Sequence, residues 1–182
     1  GKFYPPTITP AGATCDFTTS YKTASYSTTF TATAAGTYTV KADFTETAAG
    51  CAKYGSATIT VAANPILTPS SNNVAIDATC GSASSATDIT VNSRYLSSTS
   101  ITASVVTSTG TGSFKISSDN SSFDTSNKTI TGGTSSKATS HIYVRYDATE
   151  GQTGSATGTL TLTCGEKVVN IPLSATVTCS AH

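Results

Sequence analysis

The sequence predicts an all-β protein made of two tandem immunoglobulin-like β-sandwich domains. Three observations lead there: apolar and hydroxyl side chains alternate residue by residue, helical spacing is nearly absent, and prolines mark a seam near Asn64-Pro65. The alternation is plainest over residues 157–164, where threonines separate Leu160, Leu162 and Cys164, and a period of two belongs to a strand with one buried face. It returns over 26–32 and 38–44, and again at Val169, Ile171, Leu173, Ala175 and Val177. Ser and Thr make up about a third of the chain, and threonine, being β-branched, favours extended backbone while showing its hydroxyl to water. With three Glu, no Met and no window of apolar spacing at three and four, helices have no support.

The first domain is expected over residues 1–64 as a small Ig-like β unit. Its strands fall near 7–9, 15–19, 26–33, 37–45 and 56–62, with Ala34-Ala35-Gly36 as the hairpin turn between the third and fourth. Pro65 and the run Pro69-Ser70-Ser71-Asn72-Asn73 read as a connector, because proline holds its predecessor extended and cannot donate to a ladder. The second domain, residues 65–182, carries strands near 73–78, 86–92, 101–106, 114–117, 128–131, 139–146, 154–164 and 167–178. Gly165-Glu166 supplies the tight turn of the late hairpin, since glycine accepts a positive φ without a Cβ clash. About seven or eight short strands in roughly 115 residues suit an immunoglobulin-like sandwich.

The second domain also carries a family likeness. Asp88-Ile89-Thr90-Val91-Asn92-Ser93-Arg94-Tyr95-Leu96, then Phe114-Lys115-Ile116-Ser117, then Ile142-Tyr143-Val144-Arg145-Tyr146 and the closing residues 169–177 together resemble the Ig-like repeats of bacterial cell-surface and secreted proteins, especially those of Bacteroidetes. Those repeats are in turn similar to the abnormal-spindle-like (ASH) sandwich. The likeness covers mainly residues 65–179, and Ala148-Thr149-Glu150-Gly151 stands where the family usually places proline first. It implies a sandwich fold and brings no catalytic motif.

Charge and composition narrow the function classes. Ten basic and ten acidic residues balance to zero, so there is no basic field to gather phosphates, and nucleic acid is not expected as a partner. No apolar run approaches the roughly 18 residues that span a bilayer as a helix. The chain opens at Gly1 with no charged n-region and apolar stretch, which fits either a removed signal peptide or an excised piece of a longer protein.

Cysteines lie at 15, 51, 80, 164 and 179 with no close Cys-x-x-Cys pair, so thiolate metal sites are not expected. The spacing suits structural disulfides in an oxidising compartment, Cys15 with Cys51 and Cys80 with Cys164, each worth roughly 2–4 kcal/mol. Cys179 is then left over, as a thiol at a frayed terminus or the partner of a cysteine elsewhere; a swap with Cys164 or Cys80 is the other reading.

Candidate chemistry is sparse. Alternation places His141, Tyr143 and Arg145 on one face of a strand and Ile142, Val144 and Tyr146 on the other. Tyrosine stacks on apolar sugar faces and arginine donates in a fixed fork, so the trio is a candidate ligand-facing patch, although a plain solvated outer face is the preferred reading. No Gly-x-Ser-x-Gly elbow occurs, and no serine, histidine and aspartate stand out as a triad. Asp119-Asn120-Ser121 offers oxygen atoms but lacks the acidic density of a calcium loop, so it reads as a turn. Asn120-Ser121-Ser122 and Asn127-Lys128-Thr129 match the glycosylation pattern, a coincidence in a bacterial protein.

The expectation is therefore a non-catalytic structural or adhesive module pair of a secreted or cell-surface protein, without cofactor or metal. Its partners would be neighbouring domains, identical subunits, or another surface protein or glycan. Strand-edge pairing would build a filament or surface layer, with residues 2–6 as a possible added strand. The alternative is a carbohydrate-binding module appended to a glycan-processing enzyme.

Overall fold

The computed structural model describes residues 2–17, 21, 27–45 and 52–179, and among them there is no helix. The chain divides into two compact units, Gly1–Asn64 and Pro65–His182.

The first unit holds β1 (Lys2–Phe3), β2 (Thr7–Thr9), β3 (Ala13–Cys15), β4 (Phe30–Ala32), β5 (Gly36–Thr45) and β6 (Ala52–Val61). β5 is the centre of one antiparallel sheet. β6 runs along its whole length from Gly36↔Val61 to Thr45↔Ala52 without a bulge, while β1 and β2 share its other side. β3 and β4 form a separate ladder. The hairpin expected between 26–33 and 37–45 is therefore corrected: β4 pairs with β3, and the chain passes at Ala34-Ala35 from one sheet to the other. Packing explains the crossing. The Phe30 and Tyr38 rings meet edge to face at 5.6 Å, and the Tyr38 hydroxyl donates to the Ala34 carbonyl at 2.9 Å. Those two residues therefore oppose each other across layers, not along a ladder. Residues 2–3, offered above as part of an added strand, already lie in their own sheet, with Tyr4 N–H donating to Asp43 O at 3.1 Å just beyond.

The second unit holds β7 (Ile66–Pro69), β8 (Val74–Thr79), β9 (Thr87–Arg94), β10 (Ser100–Thr109), β11 (Ser113–Ser117), β12 (Lys128–Thr131), β13 (Ala138–Asp147), β14 (Gly154–Cys164) and β15 (Lys167–Thr178). One sheet runs β12-β10-β14-β15-β8 and the other β11-β13-β9-β7. Alternate residues of both sheets meet in one core. Ile89, Val91, Ile142, Val144 and Tyr146 come from the four-stranded sheet, and Ile101, Ala103, Leu160, Leu162 and Ile171 from the five-stranded one, all without solvent exposure. Each buried Val, Leu or Ile contributes about 1.5–3 kcal/mol of transfer free energy, which makes this face the main source of stability. β7 occupies the stretch expected to be connector; Pro69 is tolerated there because β7 is an edge strand, where a missing donor goes unnoticed.

The disulfide is formed by Cys80 and Cys179, with Cα atoms 5.2 Å apart, and not by Cys80 and Cys164. Register is the reason. β8 lies parallel to β15, ending at Thr79↔Thr178, so the next residue on each strand is a cysteine beside a cysteine. β14 is antiparallel to β15 and places Cys164 opposite Lys167, at the far end of the sheet. The ten or so residues of strand between the two ends span roughly 33 Å, far beyond disulfide reach. Cys164 is a buried free thiol; Cys15 on β3 is a free thiol too, and Cys51 lies outside the described residues.

Candidate functional site

β13 is an inner strand of the four-stranded sheet, so its outward side chains are flanked by those of β9 and β11. Ile142, Val144 and Tyr146 point into the core, which sends His141, Tyr143, Arg145 and Asp147 outward. Antiparallel register sets Tyr143 opposite Asp88, His141 opposite Thr90 and Arg145 opposite Lys115.

The outward side chains divide into two groups. In the first, Nδ1 of His141 lies 2.9 and 3.0 Å from the two carboxylate oxygens of Asp88, reached diagonally across the β9–β13 ladder. The His141 and Tyr143 rings lie nearly parallel, 15° apart with centroids at 6.2 Å. The row continues to Thr139, whose hydroxyl donates to Asn92 Oδ1 at 3.0 Å.

The second group centres on Asp147. Arg145 donates from a terminal guanidinium nitrogen to Oδ2 at 3.1 Å, while its Nε approaches Oδ1 at 2.7 Å, close enough for an ion pair but poorly aligned for a hydrogen bond. Lys115 Nζ reaches Oδ2 at 2.7 Å. Burial pushes the Asp147 carboxyl up, but the hydrogen bonds and charges of Lys115 and Arg145 outweigh it and hold the group below the ordinary aspartate range. The Arg145 guanidinium also lies over the Phe123 ring, 4.5 Å from its centroid, a cation–π contact.

The trio singled out from the sequence is thus on one face, but it is not one cluster in chemical terms. His141 and Tyr143 lie together as near-parallel rings, whereas Arg145 is committed to Asp147 and Phe123. The sequence reading did not single out Asp88, Lys115 or Phe123 as members of this face. Alternation alone reveals the i+2 neighbour Asp147, but cross-strand partners appear only once register is known, and Phe123 reaches Arg145 from a loop.

Two further acidic groups, Asp119 and Asp124, are consumed by turns. Asp119 Oδ1 accepts from the Ser117 hydroxyl at 2.7 Å and from the backbone N–H of Ser121 and Ser122 at 2.9 and 3.1 Å, which drive its carboxyl far below the ordinary range. Asp124 accepts from Lys128 Nζ at 2.8 Å and from Ser126 N–H at 2.8 Å, again lowering its pKa. Among the described residues no three His, Cys, Asp or Glu side chains gather as a metal site. Clefts lie elsewhere: one of about 450 Å³ in the first unit is lined by Pro5, Pro6, Ile8, Cys15 and Phe17, and one of about 390 Å³ in the second by Pro65, Ser97, Cys164 and Lys167. No helix among the described residues is long and apolar enough to cross a membrane.

No family model and no curated protein matches this chain. Among solved structures, the seventh ScaB type I cohesin from Pseudobacteroides cellulosolvens matches with 10% sequence identity over 60% of this chain and 94% of that one, at a TM-score of 0.23.

Proposed function

We propose that this chain is a non-catalytic structural or adhesive module pair of a secreted or cell-surface protein, one that joins neighbouring domains or identical subunits through strand-edge pairing. One observation carries the reading: the polar side chains that chemistry would need are spent on one another. Asp147 is held by Lys115 and Arg145, Asp88 faces His141, and Asp119 and Asp124 cap their own turns. What remains is a neutral scaffold in which β6, ten residues long, offers an extended edge suited to joining. The Cys80–Cys179 disulfide supports an oxidising, extracellular compartment. Light scattering and electron microscopy of the purified chain over a concentration series test it: concentration-dependent oligomers, filaments or layers are expected, and monomers alone at the highest concentration would remove the assembly reading.

A second reading, carbohydrate binding, is favoured by the parallel His141 and Tyr143 rings on an exposed face, a platform for the apolar side of a sugar ring. Affinity electrophoresis in polysaccharide gels separates the two. Retardation that disappears in Tyr143→Ala supports the sugar platform, and unretarded migration across a broad polysaccharide panel rejects it.

A further inference from the structure

We propose that the outer edge of β6 is the docking edge of this protein, and that its occupant is β6 of a second copy, so that the two chains close into a two-fold dimer. The proposal rests on the strand-edge assembly reading and names its edge and partner.

The edges of the described sheets differ sharply in how they are guarded. In the second unit, β7 is four residues and ends in Pro69, and β12 is four residues and opens on Lys128. β11 is five residues with Lys115 at its middle, and β8 is six with exposed Asp77. Short length, charge and proline are the devices that keep an edge from adding a strand. In the first unit, β1 to β4 are two or three residues each. β6 is ten residues long and pairs without a bulge along its whole inner side. Residues 55–61, Gly-Ser-Ala-Thr-Ile-Thr-Val, hold no charge and no proline, and Ser56, Ala57, Thr58 and Thr60 are exposed. Among the described residues nothing pairs with its other side.

Every second residue of a strand directs both its N–H and its C=O away from the paired neighbour, so the outer side of β6 presents an unpaired row of donors and acceptors. A second β6 laid antiparallel fills that row with a strand of matching length and geometry. Antiparallel self-pairing over 55–61 sets no like charges opposite one another, because the segment has none. The chain as a whole is also neutral, with ten basic and ten acidic residues, so two copies approach without electrostatic work. Because the same strand is used on both sides, the contact is isologous and closes; it yields a dimer and no filament.

Sedimentation velocity across a concentration series tests this, with hydrogen exchange as a second readout. The wild-type chain is expected to pass from its 18.4 kDa monomer to a species of twice that mass, and amide exchange over 55–61 is expected to slow as the dimer fills. Thr58→Lys with Thr60→Lys places like charges along the edge and is expected to weaken dimerisation at least about tenfold, with a thermal midpoint equal to the wild type's at concentrations where both chains are monomeric. Thr153→Lys with Thr176→Lys, equal in charge but on the second unit, is expected to leave the dimer intact. If oligomers form but survive the β6 substitutions, or exceed two chains, the β6 proposal is overturned while edge assembly stands. If the wild-type chain stays monomeric throughout, both readings fall together.

Discussion

Cys80 and Cys179, 99 residues apart in sequence, are joined by the disulfide just beyond the last parallel pair of β8 and β15. The bond ties the edge strand β8 to the strand beside it and closes nearly the whole second unit into one covalent loop. Closing a loop of that size restricts the unfolded chain, and Cys179→Ala is expected to lower stability by about 2–5 kcal/mol. Denaturant unfolding measures the loss, and a non-reducing peptide map should return the Cys80–Cys179 cross-link; a Cys80–Cys164 link would contradict the parallel register.

Tyr146 carries a polar group into the core and satisfies it there. Its hydroxyl accepts from Gln152 Nε2 at 2.8 Å and from Gly112 N–H at 3.0 Å, while its ring packs 4.7 Å from that of Phe114. Tyr146→Phe keeps the packing and strands both donors, so a loss of about 1–3 kcal/mol is expected with the far-ultraviolet circular dichroism unchanged. Urea titration with an unaltered slope is the check.

Gly158 lies opposite Thr107, beside the bulge where β14 pairs with β10 in the same sheet, and against the Phe114 ring. A Cβ there would lie 2.5 Å from the Val106 carbonyl oxygen and 2.7 Å from the Phe114 ring. One of these is backbone and cannot turn aside, so Gly158→Ala is expected to cost about 1–3 kcal/mol by overpacking, although alanine usually suits a strand better than glycine. A thermal midpoint equal to the wild type would show that the strands have more room than this.

Asp147 supplies a pH dependence of defined sign. Its folded pKa is held below the unfolded value of about 3.9, so its contribution is complete above roughly pH 4 and is lost as pH falls through the lowered folded value. Asp147→Asn removes that contribution and leaves Lys115 and Arg145 facing an uncharged amide. The variant is expected to be less stable at pH 7, with the gap to wild type narrowing in acid. Urea midpoints measured from pH 7 down to about pH 2 report it, and a gap constant across that range would argue against the ion-paired carboxylate.

The candidate face shows how far local sequence reaches. His141, Tyr143 and Arg145 share a side of β13 because a strand reverses its side chains at every residue, and that rule needs no partner strand. That His141 meets Asp88, that Arg145 is taken by Asp147 and Phe123, and that the trio separates into two groups all depend on which strands flank β13 and in what register. Those choices are made by distant segments. The same limit hid the layer crossing at Ala34, because a hairpin and a sheet-to-sheet passage share one turn chemistry and differ only in what Phe30 and Tyr38 pack against.

By itself the sequence determined the strands of the second unit other than β7: alternating apolar and hydroxyl residues favour extended elements with one buried face, and Gly165-Glu166 fixes its hairpin through a positive φ that glycine adopts freely. Tertiary structure alone decided the neighbours. Parallel pairing of β8 with β15 brings Cys80 to Cys179, and the long outer edge of β6 emerges from the order of strands around β5. Periodicity is a property of each segment's own side chains, whereas pairing is settled by which segments bury the most surface together, a contest between parts of the chain far apart in sequence.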